Sequence, residues 1–120
     1  MKYLVTGGYG FIGSNFILKL LSNDNNKILN IDKVSYCSSP GIFINHPLKK
    51  NLKNIEKDIN DVNIKEIFSD YKPDVIVHFA AESHVDRSID SPIEFIDSNI
   101  LASYKLLEGL RSYFKEKKNV

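Results

Sequence analysis

The feature that most constrains the fold is the glycine-rich stretch TGGYGFIG at residues 6–13. A short apolar segment, KYLV at residues 2–5, precedes it and is typical of a buried strand. From Phe11 to Leu21, apolar residues recur at the spacing of one helix face. That row comprises Ile12, Phe16 and Leu20, with Ile17 and Leu21 beside them. The glycines therefore occupy the tight turn between a first strand and a first helix.

The rest of the chain repeats this alternation of strand and helix. Further strands are predicted at KILNI (27–31), LKNIEKDI (52–59) and DVIVHFA (74–80), and residues 33–51 are predicted to be mostly loop. The continuous apolar run at 74–80 is typical of a parallel strand buried on both faces. The alternation predicts an α/β fold, a Rossmann-like doubly wound parallel sheet in the order 3-2-1-4, truncated after strand four and its following helix. Strand four then lies at an uncovered edge.

Two later helices are predicted from capping residues and spacing. Asp61 can cap a helix that ends at Pro73, and its inward residues are Ile64, Ile67, Phe68 and Tyr71. Pro92 can open a long helix that reaches about residue 117, with helical spacing at Ile96, Ile100, Tyr104, Leu107 and Phe114. Apolar residues outside that row are Leu101, Leu106, Leu110 and Tyr113.

The glycine-rich turn predicts a dinucleotide site. Gly8, Gly10 and Gly13 satisfy Gly-x-Gly-x-x-Gly, and Gly7, Gly10 and Gly13 satisfy the pattern with two residues in each gap. Glycines let the backbone approach a pyrophosphate, and a helix N-terminus presents N–H groups and partial positive charge to it. A merely structural turn is the alternative, but the strand before the turn and the helix after it favour the dinucleotide fingerprint.

Asp32, at the end of the second predicted strand, favours NAD over NADP. A carboxylate there can accept hydrogen bonds from both adenosine ribose hydroxyls and would repel a 2′-phosphate. The neighbouring Lys33 weakens that argument, because a cation can tolerate the phosphate. The alternative is that Asp32 only caps the following turn.

The stretch HFAAESHVDR at residues 78–87 follows the fourth predicted strand. Ser83 and His84 are sequence neighbours whose side chains diverge in an extended chain, so adjacency does not predict a nucleophile pair. His78, His84 and Asp86 lack zinc-ligand spacing, and His78 is predicted to be a hydrogen-bonded core residue. The position at the switch point of the sheet predicts contact with a cofactor or substrate. An ion pair between Asp86 and Arg87 that organises the loop is compatible with that role.

Composition bounds the remaining possibilities. A net charge of +1 argues against nucleic acid as the main partner. The single cysteine, Cys37, fits a reducing compartment. No apolar run approaches the ~20 residues of a membrane span, and the apolar residues after Met1 are too few for a signal peptide. We therefore expect a cytoplasmic protein with no metal site and no membrane partner.

Four stretches resemble one enzyme family: VTGGYGFIGS, IDKVSY, KDI and HFAAESHVDRSI. They are similar to the N-terminal portion of dTDP-glucose 4,6-dehydratases, in the extended short-chain dehydrogenase/reductase family, and the resemblance covers essentially the whole chain. The glycine motif is shared with UDP-glucose 4-epimerases, whereas AAESHVDRSI is more specific to nucleotide-sugar dehydratases. CSSPG at residues 37–41 departs from the family pattern and weakens any transfer of roles to Cys37 and Ser38.

The resemblance implies a role for particular residues. Phe11 and Ile12 would supply backbone contacts to the pyrophosphate, beside Gly7, Gly10 and Gly13. Around the adenosine half, it implies Asp32, Lys33, Val34 and Ser35 at the ribose and Asp58 with Ile59 at the adenine edge. Ala80, Ala81, Glu82 and Ser83 would line the nicotinamide half, with Ser98 and Asn99 close to the cofactor. His84 would touch the sugar nucleotide.

The resemblance also implies an activity. It is the dehydration of dTDP-glucose to dTDP-4-keto-6-deoxyglucose, in which hydride moves from C4 to NAD, water leaves across C5–C6, and hydride returns at C6. The family's Tyr-x-x-x-Lys pair has no counterpart here, because the matching string Tyr113-x-x-x-Lys117 falls on the wrong helix. The family's Asp-Glu pair, which follows strand five, is also absent from this sequence. We therefore expect residues 1–120 to form a partial NAD-binding Rossmann domain that lacks the substrate domain. Alone, it is expected to bind NAD weakly and to be inactive.

Two alternatives remain open on the sequence. One is a UDP-sugar epimerase or decarboxylase relative, and the other is a non-catalytic dinucleotide-binding fragment. Members of the family dimerise through the last helix of this chain together with a later one. With only the first of these helices in the sequence, the homodimer is expected of a full-length protein rather than of this chain alone.

Overall fold

The structure, a computed structural model, describes residues 1–35, 38–81 and 85–118, and the chain forms two compact units. Unit 1 comprises residues 1–58 and 73–80, and unit 2 comprises residues 59–72 and 81–120. Unit 1 holds the sheet and the first helix, and unit 2 consists of helices and short helical turns. The predicted Rossmann-like α/β class is confirmed.

The sheet of unit 1 has four parallel strands in the order β3-β2-β1-β4. Its strands are β1 (Lys2–Thr6), β2 (Lys27–Ile31), β3 (Leu52–Ile55) and β4 (Val75–His78). Thr6 is paired with both Ile31 and His78, so the carboxyl ends of the three strands meet at one edge. The predicted strand order is therefore confirmed, and the glycine-rich turn leaves this same edge.

Two strand predictions were wrong in part. The third strand was predicted to reach Ile59 but ends at Ile55, because its neighbour β2 ends at the paired residue Ile31. The Asp32 N–H, just beyond β2, donates to the Ile55 carbonyl at 3.1 Å. The fourth strand was predicted to be buried on both faces, yet all four of its residues are only half-buried. Among the described strands β4 lies at the edge of the sheet, with β1 as its neighbour, and this position explains its exposure.

The first helix, α1 (Phe11–Leu21), packs through a face that is rotated from the predicted row. Ile17 and Leu21 are fully buried, whereas Ile12 is 66% exposed because it lies in the first turn. The two buried residues join a core cluster that also contains Val5, Tyr9, Ile28 and Phe43. This core packs the second half of α1 against β1 and β2.

The helices of unit 2 are α2 (Ile64–Tyr71), α3 (Val85–Asp90), α4 (Pro92–Ile96) and α5 (Ala102–Lys118). Of these, α2 and α5 pack against each other. The Phe68 ring is fully buried and lies 5.7 Å from the Tyr113 ring, centroid to centroid. A Cβ at Gly109 would run into the Ile64 side chain, so the glycine allows the two helices to approach closely.

The apolar row predicted on the last helix is exposed. Its members are Ile96, Ile100, Tyr104, Leu107 and Phe114. The buried face of α5 instead carries Ala102, Leu106 and Tyr113. A five-residue π-helical turn, Asp97–Leu101, joins α4 to α5 and was not predicted. Within the described part of the chain, no helix is both long and apolar enough to cross a membrane.

The cap of α2 was also predicted wrongly, and the correction is testable. Asn63, not Asp61, is the N-cap, and its side-chain oxygen accepts the Glu66 N–H at 3.2 Å. We expect Asn63→Ala to lower the free energy of unfolding by about 1 kcal/mol, because this amide loses its acceptor. In urea denaturation followed by circular dichroism, Asp61→Ala serves as the control and should stay within about 0.5 kcal/mol. Equal losses in both variants would contradict the assignment.

Candidate functional site

The glycine-rich turn is closed and tightly packed at the carboxyl edge of the sheet. Gly7 has φ +71°, and its N–H donates to the Ile31 carbonyl at 3.0 Å. A Cβ at Gly7 would lie 2.6 Å from the backbone nitrogen of Ala80, and a Cβ at Gly13 would run into the Gly7 carbonyl oxygen. The turn therefore brings β1, β4 and the first turn of α1 closer together than any side chain would permit.

The amides of the turn divide into those already bonded and those at the start of α1. Gly8, Tyr9 and Gly10 donate to the Asn30 side chain, the Asp32 side chain and the Gly7 carbonyl at 2.9, 2.9 and 3.2 Å. Residues 11–13 follow, in the first turn of the helix, where N–H groups have no partner within the helix. Phe11 is 85% exposed and this turn carries no acidic side chain. These amides are therefore suited to bind an anion.

Asp32 is buried beside this turn with its carboxylate oriented by backbone donors. It is 7% exposed, Oδ2 accepts the Tyr9 N–H at 2.9 Å, and Oδ1 accepts the Val34 N–H at 2.8 Å. Ser38 Oγ adds a longer hydrogen bond to Oδ1 at 3.4 Å. An ionised carboxylate offers about four acceptor positions, so these three donors leave capacity for a ribose hydroxyl.

The segment after Asp32 is held in an uncommon conformation. Val34 has φ 57°, which is rare for a β-branched residue, and its N–H is bonded to Asp32. Ser35 donates its N–H to Ser38 Oγ at 2.9 Å and accepts the Ser38 N–H at the same distance. Lys33 is exposed. The structure thus places Asp32, Val34 and Ser35 in one hydrogen-bonded segment after β2, and their contact with a dinucleotide stays a prediction.

A second hydrogen-bond group joins β1 to the end of β4. Thr6 Oγ1 lies 2.5 Å from His78 Nδ1 and accepts the Ala80 N–H at 3.2 Å. Burial lowers the pKa of His78, which favours the neutral imidazole. The predicted hydrogen bonding of His78 is confirmed, but the side chain is half-buried and not a core residue. This group determines where Ala80 begins the loop that follows β4.

The lowered pKa of His78 predicts a dependence of stability on pH. The unfolded chain takes up a proton near pH 6.5 more readily than the folded chain, so the contribution of neutral His78 is present above about pH 6.5 and is lost as the pH falls below it. Between about pH 7.5 and about pH 5.5, we expect the free energy of unfolding to fall less in His78→Asn than in the wild type. Asparagine keeps an acceptor near the Nδ1 position but does not titrate.

The chain contains 3 histidines, and the other two are present in both proteins, so their contribution cancels in this comparison. Urea denaturation at the two pH values measures both slopes. Identical slopes for the wild type and His78→Asn would contradict the buried, neutral state of His78.

Several of the predicted site residues lie outside the hydrogen-bonded groups around Asp32 and Thr6. Asp58 is half-buried in unit 1. In unit 2, Ile59 and Ser98 are buried, whereas Asn99 and Ala81 are exposed. Ser98 and Asn99 lie in the π-helical turn, a feature often found at functional sites. The Asn60 side chain donates to the Asp97 carbonyl of this turn at 3.2 Å.

The most family-specific predictions cannot be placed. Glu82, Ser83 and His84, and also Cys37, lie outside the described residues. Asp86 and Arg87 are exposed on α3. Across residues 1–35, 38–81 and 85–118, no three His, Cys, Asp or Glu side chains are grouped as metal ligands would be.

Sequence reasoning missed three residues that shape the site: Tyr9, Asn30 and Ser38. Asn30 is fully buried in β2, accepts the Gly8 N–H and donates to Asn54 Oδ1 at 3.0 Å. An asparagine within the apolar strand KILNI was a usable signal, because a buried amide requires partners. Tyr9 gave no such signal, since its partners Asp32 and Glu56 are distant in sequence, and Ser38 lies in a segment that was predicted only as loop.

A parallel sheet in this order, with a glycine-rich turn after β1 and an acidic residue after β2, defines a Rossmann-type α/β protein. The model of the GDP-mannose 4,6 dehydratase family matches residues 4–120. The chain belongs to this family, and its predicted resemblance to nucleotide-sugar dehydratases is confirmed.

Individual relatives agree with this assignment. The chain is 44% identical over 115 residues to the dTDP-glucose 4,6-dehydratase of Escherichia coli, covering 95% of this chain and 32% of the relative. Among solved structures, the dTDP-glucose 4,6-dehydratase of Streptomyces venezuelae, with NAD and TYD bound, has a TM-score of 0.81 and 33% identity. The match covers 94% of this chain and 36% of that one.

A 4-epimerase for UDP-Glc/GlcNAc from Campylobacter jejuni is equally similar in fold. Its TM-score is 0.82 at 29% identity, and the match covers 93% of this chain and 34% of that one. The chain spans about a third of the length of the curated relatives it matches.

Proposed function

We propose that this chain binds NAD at the carboxyl edge of the unit 1 sheet. The observation that carries the proposal is the buried Asp32 carboxylate, which the Tyr9 and Val34 amides orient. It lies beside a turn in which a Cβ at Gly7, Gly8 or Gly13 would clash. Solved relatives with NAD bound, from Streptomyces venezuelae and Thermus thermophilus, support it.

In this proposal the residues take the roles that the family resemblance implies. The amides of Phe11 and Ile12 hold the pyrophosphate, and Gly7, Gly10 and Gly13 let the backbone approach it. The Asp32 carboxylate accepts the ribose hydroxyls. The bound NAD supplies hydride acceptance and return. The remaining proposed contacts are Lys33, Val34, Ser35, Asp58, Ile59, Ala80, Ala81, Glu82, Ser83, Ser98 and Asn99.

Isothermal titration calorimetry of the purified protein with NAD and with NADP tests this proposal. We expect NAD to bind, and NADP to bind at least about tenfold more weakly, because the Asp32 carboxylate would face the 2′-phosphate. Tighter binding of NADP, or no binding of either dinucleotide, would overturn the proposal.

The protein that contains this chain is proposed to be a nucleotide-sugar dehydratase acting on dTDP-glucose. The stretch AAESHVDRSI and the sequence relatives, which are 44% and 43% identical to this chain and are both dTDP-glucose 4,6-dehydratases, support this substrate. In this proposal residues 1–120 provide a partial NAD-binding domain, and His84 contacts the sugar nucleotide. The chain alone is not expected to turn over substrate.

An epimerase acting on UDP-sugars is the second candidate, favoured by the fold similarity to the Campylobacter jejuni 4-epimerase. The two are separated by supplying dTDP-glucose and UDP-glucose in turn to the complete gene product. Formation of a 4-keto-6-deoxy product from dTDP-glucose is expected. Formation of UDP-galactose without a keto product would favour the epimerase.

A further inference from the structure

Two carboxylates, those of Asp32 and Glu56, contact the same residue at the proposed adenosine end of the site. We propose that Glu56, held in place by Tyr9, is a second determinant of dinucleotide choice that acts with Asp32 against a 2′-phosphate. This inference rests on the proposed binding of NAD. It concerns residues of unit 1 only.

The register of the sheet makes Glu56 the neighbour of Asp32. Ile31 of β2 is paired with Ile55 of β3, and the Asp32 N–H donates to the Ile55 carbonyl at 3.1 Å. Glu56 is therefore the counterpart of Asp32 one residue beyond the last pair. Counterparts on adjacent strands lie about 5 Å apart in the backbone and direct their side chains to the same face.

Tyr9 connects the two carboxylates physically. Its backbone N–H donates to Asp32 Oδ2 at 2.9 Å, and its hydroxyl donates to Glu56 Oε1 at 3.1 Å. The ring is 3% exposed and packs against the Phe43 ring, with 6.2 Å between centroids. The Tyr9 carbonyl also accepts the Ser39 N–H at 2.9 Å. Both carboxylates are thus anchored to one rigid residue of the glycine-rich turn.

The pKa of Tyr9 reflects this environment. Burial, the hydrogen bond to Glu56 and the negative charges of Glu56 and Asp32 together raise it to about 12. The hydroxyl therefore remains a donor to Glu56 at neutral pH. Lys33 and Lys57, which each follow one of the two carboxylates in sequence, are both exposed.

The expected size of the effect follows from charge and distance. Glu56 is exposed, so its field at a phosphate on the Asp32 ribose acts through water. A 2′-phosphate carries about −1.5 to −2 charges, and at roughly 8 Å in water the repulsion corresponds to about a fivefold change in affinity. NAD has no charge at that position, so its affinity should be nearly unaffected.

Glu56→Gln tests the proposal, because glutamine keeps an acceptor for the Tyr9 hydroxyl and removes only the charge. Binding of NAD and NADP is measured by calorimetry, with NADP also measured by displacement of NADH fluorescence. We expect the Kd for NADP to fall about fivefold, the Kd for NAD to change less than about twofold, and the difference to shrink at high salt. Tyr9→Phe, which releases the carboxylate, should give a smaller change in the same direction.

The matched control is Asp74→Asn, which makes the same charge change at the opposite edge of the sheet, where Asp74 Oδ2 accepts the Lys2 N–H at 2.7 Å. It should alter neither Kd. An unchanged NADP affinity in Glu56→Gln, including no measurable NADP binding by either protein, would overturn the role of Glu56. So would equal changes for both dinucleotides, which indicate a purely structural residue. Absence of NAD binding by the wild type would instead overturn the proposed function.

Discussion

Replacing Gly7 by alanine is expected to destabilise the protein by about 3 kcal/mol and to weaken NAD binding by more than about 100-fold. The residue has φ +71°, a conformation that alanine adopts only with strain, and the new Cβ would lie 2.6 Å from the Ala80 nitrogen. Because that contact is with backbone, β1 and the end of β4 would have to separate. The turn would then no longer present the first amides of α1 in their present orientation.

Gly41→Ala is the matched control for this substitution. A Cβ there would lie 3.6 Å from Ile44 Cδ1, an ordinary van der Waals distance. Urea denaturation and calorimetry with NAD measure both variants. Nearly unchanged stability and affinity are expected for Gly41→Ala. A Gly7→Ala protein that binds NAD as tightly as the wild type would contradict the role assigned to the turn.

Asp32→Ala is expected to raise the Kd for NAD about 30- to 100-fold, because hydrogen bonds from ribose hydroxyls to a charged acceptor are lost. The variant also leaves the Tyr9 and Val34 amides without their described acceptor, and each buried donor without a partner costs about 1–3 kcal/mol of stability. Discrimination against NADP should fall at the same time, since the nearest negative charge is gone.

The control for charge is Asp70→Ala, at an exposed position on α2. It should leave the Kd for NAD within about twofold of the wild type. Calorimetry at NAD concentrations well above the wild-type Kd measures both variants. If Asp32→Ala retained wild-type affinity and still preferred NAD, Asp32 would be only a structural cap of the following segment.

Much of the fold followed from local signals. The strand, glycine turn and helix at residues 2–21 were predicted because apolar spacing and glycines act over a few residues, and the strand order followed from the parallel topology. Asp32 was predicted because the motif places an acidic residue at the end of the second strand. These features depend on backbone geometry that is common to the fold.

The errors have a different origin. Asp61 and Asn63 are both capable caps, and only the packing of α2 against α5 decides between them. The exposed apolar row that was predicted as one face of the last helix has the same spacing as a buried face, so periodicity could not tell which side packs. The contacts of Tyr9 with Asp32 and Glu56 join residues far apart in the chain and depend on sheet register, which local patterns do not encode.

The most direct test of NAD binding at the glycine-rich turn is a titration of the ¹⁵N-labelled protein with NAD, followed by amide chemical shifts. The largest shift changes are expected at the amides of Phe11, Ile12 and Gly13, with smaller ones at Val34 and Ser35 beside the Asp32 carboxylate. These changes should be lost in Asp32→Ala at the same NAD concentration. Changes confined to other parts of the chain, or none at saturating NAD, would contradict the assignment of the glycine-rich turn as the dinucleotide site.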